Sequence, residues 1–335
     1  MEQENRTNEK LLEVKDLKVS FFTPAGEVKA VGGISYDMGY GEVMGIVGES
    51  GSGKSVEAYT IIGLLASPGK VVGGEILFEG KNLLEYSKEE MENFRGNEVS
   101  MIFQNPMTCL NPVYTIGNQL VEAILCHKKI SKAEATERAI EMLTKVGINN
   151  PEKRMKQYPH ELSGGMRQRV MIAMGLICDP KLLIADEPTT ALDVTIQAQI
   201  IELMKDIIAD THMSTIFITH NLGVVAEICD RVSVMYAGRI VEQGTVDEIF
   251  YDPSHPYTLG LMRSMPRLDE EDGTRLIPIE GSPVDMLNPP EGCGFAARCE
   301  HCMKICLKKQ PPTIDLGNGH KSSCWLLALK EKEDK

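Results

Sequence analysis

The chain has 335 residues, 42% of them hydrophobic, with a formal net charge of −13. That length suits one large α/β domain and a smaller one, and the negative balance argues against a general nucleic-acid-binding surface. No run of about 18 apolar residues is present to span a bilayer, and the polar start MEQENRTNEK lacks the apolar core of a secretory signal.

The nine cysteines are accordingly expected in a reducing cytoplasm. In chain order, residues 11–47 alternate short apolar runs with turns at Thr23-Pro24-Ala25-Gly26 and Gly39-Tyr40-Gly41, which predicts β-hairpins. Val43 to Val47 reads as a buried strand. It runs into GESGSGKSVE (48–57), and an apolar helical segment follows. Strand, glycine loop and helix are the context of a phosphate-binding loop. Gly48, Gly51 and Gly53 let successive backbone N–H groups turn inward on an anion. The helix start adds its own unpaired N–H groups. Lys54 can reach the β- and γ-phosphates, and the Ser55 hydroxyl can ligate Mg²⁺. Glu49, Ser50, Ser52 and Val56 complete the candidate ATP contacts. A glycine turn with a stray lysine is the plain alternative, and the flanking strand and helix count against it.

Residues 116–147 read as helical, with Leu120, Ile124, Ile140, Leu143 and Val146 on apolar faces. From 162 to 250 strands and helices alternate again, the α/β pattern. In LSGGMRQ (162–168) a serine and two glycines open a helix, which offers a hydroxyl and exposed N–H groups to an anion; an ordinary capped helix reads the same way. KLLIADE (181–187) is an apolar strand closing on two carboxylates. Asp186 is placed to hold Mg²⁺ through water, and Glu187 to act as general base on the attacking water. Residues 215–219 form another apolar strand ending at His220, a candidate γ-phosphate sensor that could equally be structural. An acidic stretch, 269–273, reads as a linker. A Cys/Pro-rich tail follows, and the closing KEKEDK is expected to be disordered.

GESGSGKS, LSGGMRQR, KLLIADE, Ala191-Leu192-Asp193 and His220, in this order and spacing, resemble the ATPase subunits of ATP-binding cassette (ABC) transporters. The resemblance covers residues 11 to about 250. It implies an α/β P-loop NTPase fold of the ABC type, with a mixed central sheet, a β-subdomain, and a helical subdomain at about 107–160 that docks on membrane subunits. By position, Gln104 resembles the family's Q-loop glutamine, which meets Mg²⁺ or the water. Phe21, beside Phe22, resembles the aromatic that stacks on adenine, and Asp193 the interface aspartate of the D-loop. Ser163, Gly164, Gly165 and Gln168 resemble the signature that contacts ATP held by a second cassette, so a dimer is implied.

DPSHPYTLGLM (252–262) and the cysteine-bearing tail resemble the extension, here 251–335, of oligopeptide, dipeptide and nickel importer ATPases. The resemblance implies ATP-driven peptide uptake from the cytoplasmic face of the membrane. The implied partners are two integral membrane permease subunits, a second ATPase chain (a different one or a copy) and an external substrate-binding protein, with no nucleic acid. Nickel or another small solute, or a soluble non-transport cassette ATPase, are the alternatives. Cys293, Cys299, Cys306 and Cys324 follow C-x5-C-x6-C-x17-C; in the resembling importers such cysteines hold a [4Fe–4S] cluster. Cys302 gives Cys299-x2-Cys302, with His301 and His320 near, a zinc-like spacing, and free thiols are the third possibility. Cys109, Cys126, Cys178 and Cys229 are expected in the core.

Overall fold

The computed structural model describes residues 9–105, 109–190, 192–264 and 278–333. The acidic stretch 269–273 and Ala191 lie outside them. By its contacts the chain divides into two compact units, residues 12–37, 44–81 and 220–335 in one and 1–11, 38–43 and 82–219 in the other.

The first of these carries the phosphate loop and begins with a hairpin. Strands β1 (Lys10–Thr23) and β2 (Gly26–Gly39) flank the expected turn, where Thr23 Oγ1 donates to the Gly26 carbonyl (2.9 Å). β1 pairs antiparallel with β4 (Gly69–Phe78), in the sheet order β2-β1-β4-β5, with β5 at Lys81–Asn82. β3 (Val43–Val47) is buried at every position, as its unbroken apolar run predicts. It lies parallel to β9 (Arg231–Tyr236) and leads through the glycine loop into helix α1 (Lys54–Ile61).

β9 returns as β10 (Arg239–Thr245) through Ala237 and Gly238, whose φ angles of 49° and 71° make the two-residue turn a hairpin favours. The chain's last strands join the same sheet. β12 (His320–Ser322) adds antiparallel to β10, and β11 (Ile314–Gly317) to β12, in the order β11-β12-β10-β9-β3. The core beneath is shared by Val47, Val232 and Val234 with Tyr257 and Phe295 from the extension. The extension is therefore part of this unit's core and sheet.

Glu242 on β10 ties these pieces together. Its carboxylate is fully buried and accepts the N–H groups of Ser254 (2.6 Å) and His255 (3.0 Å), while His320 Nε2 of β12 lies 2.9 Å away. Burial pushes the His255 imidazole down to about 4, so it is neutral at physiological pH and its Nδ1 accepts the Tyr257 N–H (3.0 Å).

In the other unit β6 (Val99–Ile102), β7 (Leu182–Asp186) and β8 (Ser214–Thr219) run parallel, β7 between the other two and buried throughout. After α2 (Lys88–Phe94), helices α3 (Ile116–His127) and α4 (Lys132–Lys145) fall within the 116–147 stretch read as helical, and α5 (Pro151–Arg154) follows it. The 116–147 stretch read as helical is thus two helices with a break between them. Lys128 ends α3 with extended backbone, and a reciprocal Ser131–Glu134 capping box starts α4. On α4, Ala135, Ala139 and Leu143 recur every fourth residue and are buried. Helices α6 (Gly164–Leu176) and α7 (Val194–Thr211) complete this unit.

Two smaller expectations differ from the structure. Of the four scattered cysteines, Cys178 is buried, Cys109 and Cys229 are partly buried, and Cys126 is exposed at the end of α3. The KEKEDK end is structured through Glu333, because α11 (Trp325–Glu333) continues that far. No helix among the described residues is long and apolar enough to cross a membrane.

One stability prediction follows from Glu242. Glu242→Ala leaves two backbone donors and a buried imidazole without their acceptor, at roughly 1–3 kcal/mol for each unsatisfied group. Denaturant unfolding is expected to show a loss of at least about 3 kcal/mol. An unchanged midpoint would show that the network contributes nothing to stability.

Candidate functional site

The phosphate loop occupies the turn between β3 and α1, and its glycines have different causes. A Cβ on Gly48 would stand 2.1 Å from the Met235 carbonyl oxygen, and one on Gly53 2.5 Å from that of Ala30. Gly51 meets no such obstacle; there the left-handed φ of 79° is the requirement. The Gly238 N–H holds the Ser52 carbonyl (3.0 Å), so the β9–β10 turn braces the loop from below. Lys54 is only 6% exposed, and its ammonium donates to the carbonyls of Gly48 (2.8 Å) and Glu49 (3.0 Å). The cation is thereby held at the mouth of a ring of inward backbone groups.

His220 is exposed and lines one cavity of about 340 Å³ with Gly48 and Glu49. That places an imidazole on the cavity the loop faces. Phe21, at the end of β1, is half-buried with its ring against Gly69, whereas the neighbouring Phe22 is 46% exposed beneath the Lys70 ammonium. Side chains alternate along a strand, so the two rings face opposite sides.

The other unit holds the carboxylates. Asp186 ends β7 and is buried. Glu187 follows in the left-handed region (φ 45°), a strained conformation for a side-chain-bearing residue. Its N–H donates to the Ile218 carbonyl (2.8 Å), and its Oε2 accepts both Gln104 Nε2 (2.8 Å) and Thr190 Oγ1 (2.9 Å). The expected Q-loop residue therefore orients the expected base directly. Gln104's amide oxygen is the part that can meet a cation or water. Thr190 was missed by the sequence reading; a hydroxyl three residues after the acid is its only signal.

The LSGG turn is built as read. Ser163 is exposed and caps α6, its Oγ accepting the Met166 N–H (3.3 Å). Gly164 is exposed beside it. Gly165 has a packing cause, since a Cβ there would stand 2.8 Å from Ile196 of α7. Gln168 faces inward at 1% exposure and donates to the Pro188 carbonyl, so it links α6 to the segment after Glu187. Asp193 caps α7, its Oδ1 accepting the Ile196 N–H (3.0 Å).

In the extension, Cys293, Cys299, Cys306 and Cys324 line one small cavity with Phe295 and Trp325. Burial pushes the Cys293 thiol up to about 11, and Cys306, Cys324 and Cys299 add to that shift. Burial also raises Cys299 and Cys324. Cys302 stands outside the cavity, exposed, with its thiol toward the Met303 carbonyl (3.7 Å). Among the described residues, no three His, Cys, Asp or Glu side chains converge closely enough to hold a metal ion. The zinc alternative needs four ligands meeting at one point, and this arrangement does not supply it.

Comparisons with known proteins agree with this geometry. The ABC transporter family model matches residues 31–190, and that of the oligopeptide/dipeptide transporter C-terminal region matches 241–306. The chain is 57% identical to the oligopeptide transport ATP-binding protein OppD of Bacillus subtilis, over 95% of this chain and 89% of that protein. It is 56% identical to the dipeptide transport ATP-binding protein DppD of the same organism, over 95% of each, and 51% identical to OppD of Escherichia coli, over 94% of this chain and 93% of that one. Among solved structures it is similar to the ATP-binding cassette MJ0796 bound to ADP and Pi (TM-score 0.63, 25% identity, 70% of this chain and 98% of that one). It is also similar to cbiO1 of Clostridium perfringens (TM-score 0.62, 29% identity, 72% and 91%). The chain belongs to the ABC transporter family, in the branch that carries the oligopeptide/dipeptide transporter C-terminal region.

Proposed function

We propose that this chain is the ATPase subunit of a peptide importer, hydrolysing ATP to drive uptake of dipeptides or oligopeptides. The observation that carries the reading is the end-to-end similarity, extension included, to proteins named for oligopeptide and dipeptide transport. Two permease subunits in the membrane, a second cassette and an external binding protein are the partners this reading requires, with the chain seated peripherally on the cytoplasmic face.

In this reading the phosphate loop, residues 48–55, takes the phosphates on backbone N–H groups other than that of Glu49, which Tyr257 holds; Lys54 neutralises the β/γ oxygens, and Phe21 stacks on the base. The hydroxyl of Ser55 and the buried carboxylate of Asp186 are hard oxygen donors suited to Mg²⁺, with Gln104. Held by these residues, Mg²⁺ would supply charge neutralisation at the phosphates. Glu187 accepts the proton of the attacking water as the new O–P bond forms and the β–γ bridge breaks, leaving ADP and phosphate. Gln104 and Thr190 orient the Glu187 carboxylate, and His220 donates to the γ-phosphate. Ser163, Gly164 and Gly165 serve the nucleotide of the second cassette, with Asp193 at the interface; Gln168 supports them from the interior.

The four cavity thiols are proposed to hold a [4Fe–4S] cluster in a structural or regulatory role. What supports this reading is that Cys293, Cys299, Cys306 and Cys324 line one cavity, and such a cluster takes four thiolate ligands. The raised proton affinity of Cys293, Cys299 and Cys324 is what a cationic group would reverse on binding.

Two measurements test these roles. Glu187→Gln keeps shape and removes the base, so ATP turnover is expected to fall by about 10²–10⁴-fold with binding retained. Hydrolysis near the wild-type rate would sink the assignment. Anaerobic purification with iron, sulfide and zinc analysis is expected to yield about four irons per chain. One zinc without iron, or neither metal, would reject the cluster.

A further inference from the structure

Glu49 is a carboxylate inside an anion-binding loop, and the structure shows what neutralises it. The Arg298 guanidinium forms a two-pronged pair with it, Nη1 to Oε2 at 2.7 Å and Nη2 to Oε1 at 3.1 Å. Arg298 comes from the extension, 249 residues further along the chain, and its side chain is 5% exposed. Its other donors go to the Glu280 carbonyl (2.9 Å), the Ile279 carbonyl (3.1 Å) and the Tyr236 hydroxyl (3.3 Å), so all five guanidinium N–H groups are engaged. A fork fixed on every donor is a rigid mount for a carboxylate.

The backbone of Glu49 is held from the same side. Its N–H donates to the Tyr257 hydroxyl (2.9 Å), and Tyr257 is fully buried against Tyr236 and Phe295, with ring centroids 4.6 Å and 5.3 Å away. Arg298 and Tyr257 both lie beyond the ABC transporter match at 31–190 and inside the C-terminal-region match at 241–306.

We propose that Arg298 is a positioning residue for nucleotide binding: it neutralises Glu49 and, with Tyr257, straps the phosphate loop to the C-terminal extension, so that the extension sets ATP affinity without touching the nucleotide. The proposal rests on the reading of residues 48–55 as the ATP site. Its logic is electrostatic. An uncompensated carboxylate in the loop repels a triphosphate, and a low-dielectric surrounding screens that repulsion poorly. A polyanion bound next to Glu49 therefore needs the Arg298 charge in place.

The test uses the full chain and compares ATP affinity, KM and kcat for wild type, Arg298→Met, Arg298→Lys and the double variant Glu49→Gln/Arg298→Met. Arg298→Met is expected to raise Kd and KM for ATP by about ten- to hundredfold, more at low salt than at high, with a much smaller change in kcat. Arg298→Lys keeps the charge and loses the fork, so it falls between. The double variant removes the orphaned carboxylate and recovers most of the affinity. A merely structural arginine would give no such recovery and no salt dependence. The proposal is overturned if Arg298→Met binds ATP like wild type, or if the double variant binds as weakly as the single one. If Arg298→Met does not fold, the comparison of Arg298→Lys with Glu49→Gln/Arg298→Lys across salt concentrations carries the same two outcomes. A Lys54→Ala control separates the two levels: unchanged ATP binding there removes the ATP site itself, whereas failure of the Arg298 series alone removes only the strap.

Discussion

One steric constraint shapes the unit that carries the phosphate loop: at Gly48 and Gly53 the loop runs where no Cβ fits. Gly48 passes within reach of the Met235 carbonyl and Gly53 within reach of the Ala30 carbonyl. The loop is thus set by packing against β9 and β2 at these two glycines. Gly238 in the β9–β10 turn fixes the Ser52 carbonyl, and Lys54 closes the ring on the carbonyls of Gly48 and Glu49. A preorganised anion cradle of this kind needs little reordering when charge arrives.

The same constraint explains why the extension is built into this unit. Within the loop, Ser52 and Lys54 are buried, whereas Glu49 is held from outside it. Tyr257 and Arg298 supply that hold. They in turn depend on Glu242, whose buried carboxylate fastens the start of α10 (Pro256–Arg263) and strand β12 to β10. The cysteines sit on this framework: Cys299 directly follows Arg298, and Phe295 belongs both to the core and to the cysteine cavity.

Local patterns made the chemistry legible in the sequence. The hairpin turn, the five-residue strand before the loop, the acids ending β7 and the Ser163 cap each depend on neighbours within a few residues, and each is where the pattern put it. Long-range pairings were not legible. Nothing near Glu49 announces an arginine 249 positions away, and nothing in the tail's composition shows that β12 completes a sheet begun near residue 43. Gln168 was read with the exposed signature because it adjoins it, yet the helical turn carries it inside. The break between α3 and α4 was available in Ser131-x-x-Glu134, a capping box that the apolar periodicity obscured. In the cysteine segment, spacing alone left cluster, zinc and free thiols open, and the structure distinguishes the four cavity thiols from the exposed Cys302.

The central proposal is that the phosphate loop and the LSGG turn of one chain serve two different nucleotides, which would make the subunit an ATPase only as one of a pair. Ser163 lies exposed at the start of α6, away from its own chain's core, so the most direct measurement is ATP binding and turnover by Ser163→Arg. The account predicts near-normal ATP affinity in the isolated chain together with loss of paired cassettes and of hydrolysis. Loss of ATP binding by the isolated chain, or hydrolysis at the wild-type rate, would contradict it.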